Sequence, residues 1–219
     1  MNPRARRILL RLLITVVCLV IWFWTQSLLG ARPAQVSGIG DGLHRWTASQ
    51  NAYFHEHPRA ANALLIVSSA FIDGLGLFLL LRWLFGRSVR PFLGLFLLMV
   101  LRQCVQGLSA LPAPDGMIWH YPGFPSLLVT YSVASDFFFS GHTAIAAFAA
   151  TELARLKKAW LTILGVALAV FEIATVLILR AHYTMDVFTG ILAALCVAAF
   201  VQRLSAPIDR LIATRSPAD

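Results

Sequence analysis

Six long apolar segments leave this chain few folds to choose from. They run over about residues 8–30, 60–85, 91–111, 137–154, 159–180 and 183–203. Crossing the hydrocarbon core of a bilayer takes roughly 20 apolar residues of helix, and a helix satisfies its own backbone hydrogen bonds in lipid. The pattern predicts an all-α, polytopic membrane protein with six transmembrane helices in a single domain over residues 1–219. A composition of 58% hydrophobic and 13% charged residues excludes an ordinary soluble domain. The fourth segment is short. The fifth and sixth nearly touch at Arg180–His182, which predicts one tight turn.

The net charge of +8 is not spread evenly, and its distribution argues against nucleic acid as a partner. Arg4, Arg6, Arg7 and Arg11 lie at the start of the chain and of its first segment, Arg82, Arg87 and Arg90 join the second to the third, Arg155, Lys157 and Lys158 join the fourth to the fifth, and Arg203, Arg210 and Arg215 follow the sixth. The opposite connections hold only Arg32, Arg45 and Arg59. Positive loops face the cytoplasm, so both termini are expected inside. The other ends are expected at an outer face, periplasmic or lumenal, in a bacterial inner membrane or a Golgi or plasma membrane. The basic, apolar N-terminus resembles a signal peptide, but its apolar run is long for one and reads as a retained helix. Cys18, Cys104 and Cys196 all fall inside apolar segments and read as packing residues.

Two outer connections are long, 31–58 and 112–136, and both are rich in aromatic residues. They read as an interfacial belt or as a wall over a lipid headgroup. Gly38–Gly42 lacks the strand–helix setting of a nucleotide fingerprint and reads as a turn. His55 and His57 lack the further donors that a metal needs, so neither metal nor cofactor is expected.

The chemistry concentrates in two segments, Asp136-Phe-Phe-Phe-Ser140-Gly141-His142-Thr143 and His182-Tyr183-Thr184-Met185-Asp186-Val187. Ionisable residues at membrane depth point to function. His182 and Asp186 are four apart and share a helix face. The carboxylate would hold one ring nitrogen and leave the other to attack phosphorus. His142 suits the acid that protonates the leaving oxygen and the base that then activates the acceptor. Ser140, Gly141 and Thr143 open a helix whose free amides would bind phosphate oxygens.

These motifs, in this order and spacing, resemble the sphingomyelin synthase family, within the lipid phosphate phosphatase superfamily. The plant phosphatidylcholine:diacylglycerol cholinephosphotransferases are similar too. Arg102, followed by Ser109 and then Leu111-Pro112-Ala113-Pro114, resembles the family's Arg-x6-Thr segment running into Leu-Pro-x-Pro. The resemblance covers about residues 85–200. It implies that His142, His182 and Asp186 are catalytic and that Asp136 is the acidic position before Ser-Gly-His. Ser109 stands where the family has threonine, Ala134-Ser135 where it has Cys-Gly, and the early Pro-x-Pro-Asp element has only Gly40-Asp41 in a comparable place. The phosphatase motifs Lys-x6-Arg-Pro and Ser-Arg-x5-His are not intact, since Trp83 and Val176 fill their basic positions. Arg180, two residues before His182, is a local substitute for the second. The expected substrate-binding set is therefore Asp136, Ser140, Gly141, Thr143, Tyr183, Arg102 and Arg180.

Four charged residues lie within apolar segments, each costly unless paired. Arg102 would grip phosphate or pair with Asp73 or Glu172. Glu152 would pair with Arg155, and Glu172 would balance an ammonium or a buried arginine. The leading reading is transfer of a phospho-headgroup, phosphocholine or phosphoethanolamine, from a membrane phospholipid donor to a lipid alcohol acceptor, diacylglycerol or ceramide. Its intermediate is a phosphohistidine, and a homo-oligomer is compatible with it. The alternative is a lipid phosphatase or phospholipase C-type hydrolase with water as acceptor. A non-enzymatic scaffold sits poorly with an intact His, His, Asp set.

Overall fold

A computed structural model of the protein describes residues 2–31, 39–131 and 137–214. Among them the regular structure is entirely helical: α1 Pro3–Gly30, α2 Gly42–Trp46, α3 Ala48–Glu56, α4 Pro58–Phe85, α5 Arg90–Leu108, α6 Gly141–Ala154, α7 Ala159–Ile178 and α8 Thr184–Thr214. Five of these, α1, α4, α5, α7 and α8, are long and apolar enough to cross a membrane. The fourth expected span is helical only over the 14 residues of α6, about 21 Å of rise. The sixth runs on well past residue 203. The connection 31–58 contains α2 and α3.

The short helix α6 is the centre of the bundle and packs against α4, α5, α7 and α8. Its sequence explains how. Gly141, Ala144, Ala146, Ala147, Ala149 and Ala150 give it a small-residue surface, which lets helix backbones approach closely where lipid supplies no hydrophobic drive to associate. A Cβ at Gly165 of α7 would stand 2.9 Å from the Cα of Ala150. Phe148 of α6 fills the space left by Gly94 of α5, where a Cβ would lie 2.0 Å from the ring. Phe148 is fully buried, so truncating it to alanine costs about 3–5 kcal/mol.

The connections α4–α5 and α6–α7 meet at one end of the bundle. There Arg90 pairs with Glu152 at 2.5 Å, both buried. This corrects the expected local pair of Glu152 with Arg155, whose guanidinium instead donates to Gln202 Oε1 at 3.1 Å. Arg11 of α1 donates to the carbonyls of Trp83 at 2.6 Å and Gly86 at 3.0 Å and lies over the Trp83 ring. A cation thus satisfies the carbonyls that α4 leaves open at its C-terminus.

The opposite end is built by α2, α3 and the non-helical segment 109–131. That segment turns back into the bundle. Asp73 stands about 22 Å along α4 from its start, and its carboxylate accepts the N–H groups of Leu127 at 2.8 Å and Leu128 at 2.9 Å and the Ser126 hydroxyl at 2.9 Å. Irregular backbone at this depth must be satisfied by protein, and this is the role of Asp73. Gly76 makes the approach feasible, since a Cβ there would meet Leu128 Cδ1 at 2.1 Å. Glu172, fully buried on α7, accepts from Ser68 of α4 at 2.6 Å. Neither acid forms an ion pair with Arg102 among the described residues.

Candidate active site

His182 enters the site through the turn between α7 and α8. Helix α7 ends with Arg180 in the left-handed region, φ +53°. The Arg180 N–H donates to the Leu177 carbonyl at 3.2 Å, and the Ala181 N–H to the Val176 carbonyl at 2.8 Å. This is a Schellman ending, with Ala181 and Val176 also in apolar contact. It reverses the chain within a few residues, as the near-contact of the two segments implies. Asp186, in the first turn of α8, reaches back to accept the Tyr183 N–H at 2.9 Å, the reciprocal half of a capping box. Its Oδ2 lies 3.6 Å from His182 Nδ1, beyond hydrogen-bond length. His182 Nδ1 and Asp186 Oδ1 are both buried with no hydrogen-bond partner among the described residues.

His142 is the second residue of α6. Ser140 caps that helix, its hydroxyl accepting the Thr143 N–H at 3.3 Å. The two motifs meet through the backbone: the Ser140 N–H donates to the Asp186 carbonyl at 3.1 Å. Arg102 crosses the start of α6, donating from Nε to the Phe139 carbonyl at 3.0 Å and from Nη1 to Gln26 Oε1 at 3.1 Å. Gly141 leaves room for it, since a Cβ there would stand 3.2 Å from Arg102 Nε.

His142, His182, Arg102 and Gly141 line one small cleft together with Trp119, Phe137 and Trp22. The Trp119 ring sits edge-on to His142 at 5.2 Å and the Phe137 ring edge-on to His182 at 6.4 Å. Trp119 also packs against all three apolar clusters of the protein and donates to the Thr130 carbonyl at 3.1 Å. It is the wall of the cleft more than a belt residue. One cleft thus brings together two imidazoles, a guanidinium and the opening of a helix, the group types that nucleophilic, acid–base and anion-stabilising chemistry uses.

Not every expected binding residue lines that cleft. Arg180 points away from it, its guanidinium donating to the carbonyls of Asp115 at 2.6 Å and His44 at 3.3 Å. A left-handed turn aims that side chain at the outer segments, so it holds α2 and the 109–131 segment against the turn. Tyr183 is buried, stacks on His44 and donates to the Pro112 carbonyl at 3.2 Å. Ser140 and Thr143 are buried in the start of α6. Asp136 lies outside the described residues. His55 contacts the Gly116 carbonyl and His57 the Tyr53 carbonyl, and among the described residues there is no cluster of metal-ligating groups.

Three residues behind the site were not singled out for it. Asp41 caps α2 by accepting the Leu43 and His44 N–H groups, and also takes both the N–H and the hydroxyl of Thr184 at 2.6 Å. Burial alone would push its carboxyl up, but the bonds from Thr184 and His44 outweigh burial and hold it below the usual carboxylate range. His44 Nε2 lies 2.9 Å from the His182 carbonyl. Gly190 lets α8 touch α6: a Cβ there would stand 2.8 Å from the Ser140 carbonyl oxygen. An aspartate before a short apolar run is a cap signal, but nothing local links Asp41 to Thr184 or Gly190 to Ser140.

A family model described as AtPDCT1/2 matches residues 41–203 of the chain. Its name denotes transfer of phosphocholine between phosphatidylcholine and diacylglycerol. The match opens at Asp41, well before the expected start near residue 85, and takes in the Asp41–Thr184 clamp. No curated protein and no solved structure matches the chain.

Proposed function

The chain belongs to the AtPDCT1/2 family, the phosphatidylcholine:diacylglycerol cholinephosphotransferases, and from that premise we propose that it moves phosphocholine between diacylglycerol units through a covalent intermediate on His182. The observation that carries this is the shared cleft of His142, His182 and Arg102, with Asp186 behind the His182 ring. Because Asp186 faces Nδ1, the attacking atom is Nε2. Its lone pair forms the bond to phosphorus, the bond from phosphorus to the glycerol oxygen breaks, and His142 gives that oxygen its proton. Diacylglycerol leaves. A second diacylglycerol then gives its hydroxyl proton to His142 and takes the phosphocholine, which restores both histidines.

Arg102 and the amides opening α6 balance the phosphate charge. Asp136, four residues before Ser140, is assigned to the ammonium of the choline, which carboxylates and ring faces attract. The apolar lining of the cleft, with Ile72, Met99, Leu128 and Ile145, keeps water from the intermediate and favours a lipid acceptor over hydrolysis. The Arg and Lys of the termini and of the α4–α5 and α6–α7 connections support a reading with the reaction at the outer face and α6 counted as a sixth span.

The test is incubation of the purified protein with headgroup-labelled phosphatidylcholine, with and without diacylglycerol. Label on a new phosphatidylcholine that also appears transiently on His182 supports the reading. Release of free phosphocholine at the same rate with and without diacylglycerol refutes it. Phosphatidylethanolamine and ceramide in parallel tubes fix donor and acceptor.

A further inference from the structure

Helix α1 is fastened to the bundle by hydrogen bonds near both ends, and a groove opens beside the stretch between them. Arg11 ties one end to α4. Near the other end Gln26, buried, accepts from Arg102 and, at 3.4 Å, from Gln103. Between these ties a groove of about 820 Å³, counting its open side, runs between α1 and α5, lined by Cys18 and Leu19 on one side and Phe96, Val100 and Cys104 on the other. Its surface is almost wholly apolar.

The groove adjoins the histidine cleft: Trp22, Met99 and Leu128 line both. At this junction the indole N–H of Trp22 and the Oε1 of Gln103 are buried without partners among the described residues. A buried indole N–H ordinarily finds an acceptor, and a buried amide oxygen left open is costly. A donor and an acceptor of hydrogen bonds stand where an apolar groove meets a phosphate-handling cleft. That is the order of groups along a glycerolipid: chain, ester and hydroxyl, then phosphate.

We propose that this groove is an acyl-chain site, holding one fatty chain of the diacylglycerol unit with an ester carbonyl on the Trp22 N–H. The inference rests on the transferase reading and extends it. Donor and acceptor carry the same diacylglycerol unit, so one groove serves both half-reactions. The first diacylglycerol leaves sideways between α1 and α5 and the second enters the same way, while phosphocholine stays on the protein.

Val100→Trp fills the groove from a position outside the histidine cleft. With dioleoyl substrates kcat/KM should fall by about tenfold or more, by the same factor for donor and acceptor, while dihexanoyl substrates change less than about twofold. Equal loss at both chain lengths, or no loss at either, overturns the proposal. Trp22→Phe keeps the ring and removes the donor. Its loss should appear with diester substrates and vanish with diether ones, and an equal loss with both removes the ester contact. A diacylglycerol carrying a photoreactive group in its chain tests the wild-type protein without turnover. Adducts should gather on α1 and α5 at the groove, and adducts spread over the lipid-facing sides of α7 and α8 in proportion to exposure overturn the site. Labelling at the groove in a preparation that transfers no phosphocholine would leave the groove standing and remove the transferase reading.

Discussion

The main-chain N–H of Ser140 donates to the main-chain carbonyl of Asp186 at 3.1 Å. One hydrogen bond therefore joins two motifs 46 residues apart at the positions that orient His142 and His182. The separation of the two rings is set by how closely α6 and α8 pack, and Gly190 controls that packing. Gly190→Ala would place a methyl 2.8 Å from the Ser140 carbonyl oxygen, a backbone atom that cannot swing aside. The helices must separate, and a misplacement near 1 Å costs about 10²-fold in rate. The expected result is normal insertion with kcat down by about that factor. An unchanged rate would show that the contact does not set the geometry.

His182→Ala is expected to abolish transfer, with a loss above about 10³-fold. Asp186 has two separable duties, and two variants divide them. Asp186→Asn keeps an oxygen for the Tyr183 N–H, so the start of α8 survives while the charge behind His182 is lost. Asp186→Ala loses both and should add about 1 kcal/mol of instability. Measuring kcat and the thermal midpoint of each variant checks the division. Equal midpoints would mean that the cap is idle.

Asp41 gives the site end an acid limit. Its folded-state pKa is depressed by the bonds from Thr184 and His44, although burial opposes them. A depressed carboxyl contributes stability that is present above its ordinary pKa, near 3.8, and is lost as pH falls through the lower folded value. The protein should therefore lose stability in acid below about pH 4, and Asp41→Asn should flatten that part of the profile while lowering stability at neutral pH. Thermal unfolding across pH, wild type against variant, is the measurement. Parallel curves would remove Asp41 from the acid response.

Arg180 combines a strained backbone with two useful contacts. Arg180→Gly relieves the left-handed turn, worth about 1–2 kcal/mol, but gives up the bonds to Asp115 and His44. Arg180→Ala gives up the bonds and keeps the strain. The alanine variant should be the less stable of the two by about that amount, and neither should resemble a loss of phosphate binding. A selective rise in the donor's KM in both would return Arg180 to the substrate.

Helical periodicity, segment length and the spacing of His182 and Asp186 are local quantities, and the chain alone determined what depends on them: an all-helical membrane architecture, the tight turn before α8, and the histidine pair that shares the cleft. That the fourth segment is short was also legible, because its apolar run is bounded closely by Ser140 on one side and Arg155 on the other. What Arg102, Arg180, Asp73 and Glu172 do was decided only in three dimensions. Each is an ionisable group in an apolar setting, and its role depends on which distant donor or carbonyl the packing brings within about 3 Å. Asp73 caps backbone more than fifty residues away, Arg180 faces outward because its own φ is positive, and Glu152 finds Arg90 before the nearer Arg155. Gly190 and Asp41 carry no local sign of their partners, since a close approach has no periodicity. The groove beside α1 is further still from the sequence: it lies between α1 and α5, where Arg11 holds α1 to α4 near one end and Gln26 holds it to Arg102 near the other.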